Sequence, residues 1–98
     1  MIVYSIDVYS KTNELLLYEI IISQRNVAAL YDIMGISDEY EADFSYGIGV
    51  YNINEKQAHL LEKLIGRSFY SEYSIFQLSG RGDLTKLNIY SSFFLDRV

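Results

Sequence analysis

The first residues of the chain alternate between two faces, as expected for a half-buried β-strand. In "IVYSIDVY" (residues 2–9) one face carries four large apolar or aromatic side chains, namely Ile2, Tyr4, Ile6 and Val8. The segment "LLLYEIIIS" (15–23) is apolar on both faces, which predicts a second strand in the centre of a sheet. The intervening "SKTNE" predicts a hairpin turn, so we expect these two strands to pair antiparallel.

Two segments have the spacing of amphipathic helices. "NVAALYDIMG" (26–35) places Val27, Leu30, Ile33 and Met34 on one helical face, with Asn26 or Ser23 as the cap and Gly35 as the stop. "NEKQAHLLEKLIG" (54–66) is the clearer helix. Asn54 caps it, Gln57 completes a capping box, Gly66 ends it, and the apolar stripe is Ala58, Leu61, Leu64 and Ile65.

Three further strands are expected. "YGIGVYNI" (46–53) predicts a third strand, in which glycines on one face let another backbone approach closely. "YSIFQLS" (73–79) predicts a fourth, "GRGD" (80–83) a hairpin connection, and "LTKLNIYSSFF" (84–94) a fifth. The order β-β-α-β-α-β-β predicts a single α+β domain over residues 1–98, with two helices packed on one face of a mostly antiparallel sheet of four to five strands.

Composition places the chain among globular proteins of a reducing compartment. Half of the 98 residues are apolar, and there is no cysteine from which a disulfide could form. The N-terminus has neither the basic region nor the uninterrupted apolar core of a secretion signal. The longest apolar run, "LLLYEIII", is too short to span a bilayer. We therefore expect a cytoplasmic protein that does not enter a membrane.

All of the net negative charge lies in one segment. Residues 26–55 contain six acidic residues and no lysine or arginine, whereas the rest of the chain contains seven acidic and eight basic residues. The net charge of −5 therefore comes from residues 26–55, which carry −6, while the remainder carries +1. Such a field repels nucleic acid and anionic membranes and attracts cationic partners.

No pattern of catalytic residues is visible, and we expect a protein that is not an enzyme and holds no cofactor. His59 is the only histidine and there is no cysteine, which excludes a zinc or thiol enzyme. His59 is expected on the helix surface, since no serine with an elbow-type glycine pair accompanies it. "YGIGVY" is too short for a phosphate-binding loop. "RGD" (81–83) is interpreted as turn chemistry.

The carboxylates of "SDEYEADF" could also be read as a catalytic or a calcium site. A glycosidase pair would need two carboxylates held apart in a cleft, whereas these acids crowd a segment expected to be a solvated loop. An EF-hand alignment puts Phe44 at the turn glycine and Val50 at the final glutamate, so it fails. A weak, nonspecific divalent site stays open, but no metal is assigned.

Tyrosine is abundant, at 10 of 98 residues, and strand propensity accounts for most of it. Tyrosine also anchors interfaces, because it buries a large rigid area and keeps a hydroxyl group. The residues expected to bind a partner are those where acids and tyrosines interleave: Asp38, Glu39, Tyr40, Glu41, Asp43 and Tyr46.

Taken together, these segments resemble the small acidic immunity proteins that bacteria encode beside secreted or contact-dependent toxins. The resemblance rests on the size of the chain, the "YSIDVYSKTNELLLYEI" hairpin, the acidic "MGISDEYEADFSYGI" centre and the "INEKQAHLLEKLIG" helix followed by "YSIFQL". It implies tight binding of one cognate toxin with a basic surface, for example a nuclease, and no catalytic residues. The alternative is a non-enzymatic adaptor or structural subunit, homodimeric through an edge of the sheet.

Overall fold

A four-stranded antiparallel sheet forms the centre of the fold in residues 1–82, the part of the chain that the computed structural model describes. Three short α-helices accompany it. In chain order the elements are β1 (Val3–Ser10), β2 (Leu16–Ile21), α1 (Val27–Met34), α2 (Glu41–Ser45), β3 (Val50–Ile53), α3 (Glu55–Ile65) and β4 (Ser74–Arg81). Single turns of 3₁₀-helix, Gln24–Asn26 and Asp38–Tyr40, precede α1 and α2. The expected α+β class with an antiparallel sheet is confirmed.

The strands are arranged in the order β2-β1-β4-β3. Ile6 of β1 lies opposite Ile20 of β2 and opposite Leu78 of β4, and all three side chains are buried. The alternation predicted for the first strand is therefore confirmed, because its predicted apolar face lies against the core. One face of the sheet carries the core, and the other carries Ser5, Asp7, Glu19 and Ser79.

The core lies between that first face and the helices. Its buried residues form one cluster: Tyr4, Ile6, Val8, Ile20, Ile22, Leu30, Met34, Phe44, Ile53, Ala58, Leu61, Phe69, Phe76 and Leu78. Each of the three helices contributes at least one residue to this cluster, because each is apolar on one side only. The helices therefore cover the same face of the sheet, as the sequence predicted for two of them.

The predicted helix stops are confirmed at α1 and α3, but the predicted cap is confirmed only at α3. At α1 neither the Asn26 nor the Ser23 side chain forms a cap hydrogen bond, because the 3₁₀ turn runs directly into the helix and Asn26 already has helical backbone angles. The Asn54 side chain accepts a hydrogen bond from the Gln57 amide at 2.8 Å, and the Gln57 side chain accepts one from the Asn54 amide at 2.9 Å. This is the expected capping box. Gly35 and Gly66 end their helices in the left-handed conformation, with φ of 61° and 70°. Leu61 is fully buried, which confirms the apolar face of α3.

Three expectations need correction within residues 1–82. The third strand starts at Val50 and not at residue 46, because α2 runs to Ser45 and a turn follows it. The acidic stretch was expected to be a connection, but it contains α2, so there are three helices and not two. β2 was expected in the centre of the sheet, but in the described sheet it lies at an edge. Besides these three, the predicted "GRGD" connection (80–83) starts too early, because Gly80 and Arg81 pair with β1 as the last residues of β4. The end of that connection and the expected fifth strand (84–94) lie outside the described residues.

The close backbone approach expected at the glycines occurs at Gly47, although this residue lies in the turn before β3. A Cβ atom there would lie 3.3 Å from the Gly80 carbonyl carbon and 2.8 Å from an Ile2 methyl carbon. At Gly80 a Cβ atom would lie 2.9 Å from the Gly47 Cα atom. Both positions need glycine. Together they bring β4 close to the end of the acidic segment, the name used from here on for residues 38–46.

Candidate functional site

The acidic segment is helical. Asp38–Tyr40 form one turn of 3₁₀-helix, and the chain continues directly into α2. Acidic residues occupy the first turn of both pieces, where carboxylates interact favourably with the exposed amides of a helix start. The backbone amide of Ile48 then donates to the Asp43 carbonyl at 2.8 Å and closes the turn after α2. The carboxylates therefore project from a folded element.

Phe44 attaches this element to the rest of the protein. It is the only buried residue of α2 and is 3% exposed. Its ring stacks on Tyr4 with a centroid separation of 4.6 Å and meets the edge of Tyr31 at 5.3 Å. Tyr51 lies 6.1 Å away on a third side, and the Tyr4 hydroxyl donates to the Phe44 carbonyl. One aromatic residue in a cage of three tyrosines thus fixes the orientation of the acidic segment.

The residues proposed for partner binding lie at the surface. Asp38, Glu39, Glu41 and Asp43 are exposed, and Tyr40 and Tyr46 are 50% and 73% exposed. Within residues 1–82, none of the four carboxylates forms an ion pair or accepts a hydrogen bond from a side chain. In this part of the chain their charges face solvent and can interact with a binding partner.

The field of these carboxylates extends to the surrounding tyrosines. Burial raises the pKa of Tyr31, and the negative charges of Glu41, Asp38 and Asp32 raise it further. Burial likewise raises the pKa of Tyr51, with an added contribution from Asp43. Both phenols therefore ionise only above the ordinary tyrosine pKa of 10, and at physiological pH they are neutral hydrogen-bond donors, as tyrosines usually are.

Next to this surface is a shallow open pocket of about 320 Å³. It lies between the end of α1, the 3₁₀ turn and β3, and its lining is Met34, Gly35, Ile36, Ser37, Tyr40, Val50, Tyr51 and Asn52. Val50 of this lining is 60% exposed, and Ile48, two residues before it, is 56% exposed, so both present apolar surface. Apolar area adjoining carboxylates is the arrangement found where an interface has an apolar centre and a charged rim.

Sequence reasoning identified the exposed members of this site but missed those that shape it. Phe44, Ile48 and Val50 were not singled out, and Tyr31 and Tyr51 were counted only among the tyrosines. Acidic residues at the start of a helix are a recognisable signal, and "SDEYEADF" carries it. The cage around Phe44 could not be read in this way, because its three tyrosines come from three other segments of the chain.

A second polar cluster lies on the opposite face of the sheet and was also missed. Asp7 and Ser5 are 6% and 1% exposed, although strand alternation places them away from the core. Asp7 accepts hydrogen bonds from the hydroxyl groups of Ser5 at 2.7 Å and Ser79 at 2.6 Å. Beside them, Arg81 forms an ion pair with Glu19 at 2.9 Å. Each carboxylate has a partner, which is what a buried acid requires.

His59 lies at the surface of α3, as expected, and belongs to a cluster that ties this helix to the loop after it. Its Nδ1 atom lies 2.8 Å from a Glu62 oxygen, and its Nε2 atom lies 3.5 Å from a Glu55 oxygen. Glu62 also accepts hydrogen bonds from the amides of Phe69 at 2.7 Å and Tyr70 at 2.9 Å. These contacts give His59 a structural role.

The cluster predicts a dependence of stability on pH. The Tyr70 amide, His59 and the Phe69 amide lower the pKa of Glu62 to about 2, so its contribution is present above its ordinary pKa of 4.5 and is lost as the pH falls toward 2. The hydrogen bond to Glu62 raises the pKa of His59 above 6.5; burial opposes this and Glu55 adds to it. The stabilisation by protonated His59 is therefore complete below pH 6.5, its ordinary pKa, and is lost as the pH rises through the raised pKa of the folded protein.

We expect the native protein to have a larger free energy of unfolding than His59→Gln at pH 5.5. This difference between the two proteins should be smaller at pH 8.5. Chemical denaturation of both proteins across this range measures the difference. Lys63→Ala, an exposed change on the same helix, should show an offset independent of pH. A His59→Gln offset that is also constant with pH would contradict the ion-pair assignment.

Within residues 1–82, no three His, Cys, Asp or Glu side chains are grouped so that they could hold a metal ion. Over the same residues, no helix has both the length and the apolar character needed to cross a bilayer.

The fold and this surface define a small α+β protein that presents an acidic, tyrosine-containing face beside a helix-covered antiparallel sheet. Residues 3–79 match the family described as DUF7683, a domain of unknown function, and the chain belongs to this family. No curated protein and no solved structure matches the chain.

Proposed function

We propose that the chain is an immunity protein that binds a cognate bacterial toxin with a basic surface and neutralises it in the cytoplasm of the cell that makes it. The observation that carries the proposal is the helical acidic segment itself. Four exposed carboxylates, without ion pairs in residues 1–82, lie on an element held by one buried aromatic residue. The resemblance of most of the chain to small acidic immunity proteins supports the same assignment.

Charge placement supports binding over mere solubility. Like charges this close repel one another, and solubility does not require that they be concentrated in one segment. A basic partner relieves that repulsion and is drawn to this side of the molecule from about 8–10 Å at physiological salt. The proposed role is therefore fast capture of a cationic protein, such as a nuclease whose cleft is built to hold phosphates.

Tyr40 and Tyr46 supply the close contacts in this proposal. Each ring is at least half exposed and adjoins carboxylates, so each can stack on an arginine of the partner while its hydroxyl group forms a hydrogen bond. The shallow pocket that Tyr40 lines, with Ser37 and Asn52 among its other lining residues, offers a recess for a side chain from the partner. Binding at this surface neutralises the toxin either by filling its basic cleft or by covering a neighbouring surface.

A growth-protection experiment tests the proposed function. The gene that directly precedes this one should encode a toxin domain, whose expression in a susceptible bacterium should stop growth. Co-expression of the full chain should restore growth, and the two proteins should co-purify as a stoichiometric complex. The surface variant Lys63→Ala should protect equally well. Failure of the native chain to protect, with the protein present in folded form, would reject the immunity assignment.

A further inference from the structure

The outer edge of β2 is open in the described sheet and carries exposed apolar side chains. Leu16, Leu17 and Ile21 are 47%, 56% and 53% exposed, and Leu15, just before the strand, is 64% exposed. Five of the six residues of β2 are exposed, and only Ile20 is buried. Within residues 1–82 no strand pairs with this edge. The strand thus has apolar surface that neither the core nor the helices cover.

The backbone of β2 presents hydrogen-bonding groups along the same edge. The Ile22 amide donates to the Tyr4 carbonyl of β1 at 2.8 Å. Because antiparallel pairing alternates, the amide and carbonyl groups of Ile20 also point toward β1, whereas those of Glu19 and Ile21 point outward. A row of outward amides and carbonyls is a template for another strand.

From Tyr18 to Ile21, β2 lacks the devices that usually protect an edge. It contains no proline and no lysine, and its one charged residue, Glu19, is paired with Arg81 at 2.9 Å. A bulge at Leu17 interrupts its pairing with β1 near the start of the strand, and the pairing from Tyr18 to Ile21 is regular. The regular, apolar part of β2 is therefore its C-terminal half.

The two edges of the described sheet differ in charge, and this difference identifies the occupant. β3, the opposite edge, has four residues and follows directly on the acidic segment, so a second copy of the chain would be repelled there. Residues 1–25, which include β2, hold three acidic and two basic residues and are nearly neutral. A basic partner is favoured near β3, and a neutral, apolar and self-complementary strand is favoured at β2.

We infer that β2 pairs antiparallel with β2 of a second copy, forming a two-fold symmetric dimer with one sheet running through both molecules. Cyclic dimers built on one self-complementary patch are the commonest homo-oligomers. A two-fold axis at Ile20 sets Glu19 opposite Ile21 of the second copy and so keeps the two Glu19 carboxylates from facing each other directly. This inference is independent of toxin binding, since it uses the other edge of the sheet.

Sedimentation velocity of the full-length protein from about 1 to 500 µM tests the inference, in a range that covers micromolar dimers. The native chain should shift from monomer to dimer with concentration. Ile21→Glu places a carboxylate directly opposite Glu19 of the second copy, and this like-charge pair should raise the dissociation constant at least tenfold. Leu60→Glu, the matched change at an apolar position on α3 that is 40% exposed, should leave it unchanged.

Folding of each variant is checked by circular dichroism. Should Ile21→Glu fail to fold, Ile21→Thr keeps the β-branched shape, removes apolar surface and should weaken the dimer in the same direction. A native chain that stays monomeric over the whole range would overturn the inference. So would a dimer that Ile21→Glu leaves intact or that Leu60→Glu weakens equally.

Discussion

Replacing Phe44 by alanine is expected to lower the free energy of unfolding by about 3–5 kcal/mol, the usual cost of removing a buried phenylalanine. The ring is 3% exposed and contacts Tyr4, Tyr31 and Tyr51. Its removal leaves a cavity that these tyrosines cannot close without moving, because each belongs to a different element. A small domain has about 5–15 kcal/mol of stability in total, so this loss is large.

Tyr46→Ala provides the matched control for this prediction. It also removes an aromatic ring, only two residues further along, but Tyr46 is 73% exposed. Its effect on the free energy of unfolding should stay within about 0.5 kcal/mol, as is usual for surface substitutions. Guanidinium denaturation of the three proteins measures both effects. If the two variants lost equal stability, the acidic segment would not be anchored by Phe44.

The Phe44→Ala variant should also show local loosening of the acidic segment. α2 has no other buried residue, so the segment between α1 and β3 loses its attachment while the sheet remains. Limited proteolysis should cut within residues 37–49 faster than in the native protein or in Tyr46→Ala. This links the stability of the fold to the function proposed, because a loose segment must be ordered again before it can bind.

Long periodic segments were predictable from the sequence because their signals are local. α3 shows this best: the capping pair Asn54 and Gln57, the apolar stripe and the stop at Gly66 all lie within 13 consecutive residues. β1 was found for the same reason, since alternation along residues 2–9 marks the strand. The positions of these elements therefore needed no knowledge of the tertiary structure.

α2 was missed because one helical turn with a single buried residue has no periodicity to detect. The start of β3 was placed too early because "YGIGVY" alternates like a strand, whereas Gly47 and Gly49 have φ of 73° and 96°. β2 was placed in the centre of the sheet because it is apolar on both faces, a pattern typical of strands covered on both sides. In the described sheet β2 lies at an edge, and most of its apolar side chains are exposed instead of covered.

The buried cluster around Asp7 marks another limit of sequence reasoning. Alternation correctly assigned Ser5 and Asp7 to the polar face of β1, but their burial depends on a hydroxyl group from Ser79, far along the chain. The candidate interface shows the same division. Its charges could be located from the sequence because acidic residues and the missing bases are counted directly, whereas the surface on which they are displayed depends on contacts across the fold.

Neutralising the four clustered carboxylates together, with Asp38→Asn, Glu39→Gln, Glu41→Gln and Asp43→Asn, should impair toxin binding more than any other change at the surface. Carboxylates at the rim of an interface mainly alter the association rate and its salt dependence, whereas truncating one that is paired and desolvated at the centre costs about 2–5 kcal/mol. We therefore expect slower association, a flatter salt dependence and loss of growth protection. Folding should survive, because relief of the repulsion between these exposed charges offsets the small loss of their interaction with the amides at the helix starts.

The measurement is binding kinetics with the purified toxin at low and high salt, with circular dichroism to confirm folding. A matched pair of double variants separates local from global charge: Glu39→Gln with Glu41→Gln removes two charges from the acidic segment, and Glu14→Gln with Glu72→Gln removes two exposed charges elsewhere. Only the first double variant should slow association markedly, because steering depends on where the charge lies. If the folded quadruple variant bound the toxin at unchanged rates in both salts, the interface would lie elsewhere. Equal slowing by the two double variants would instead show that only the net charge of the protein matters.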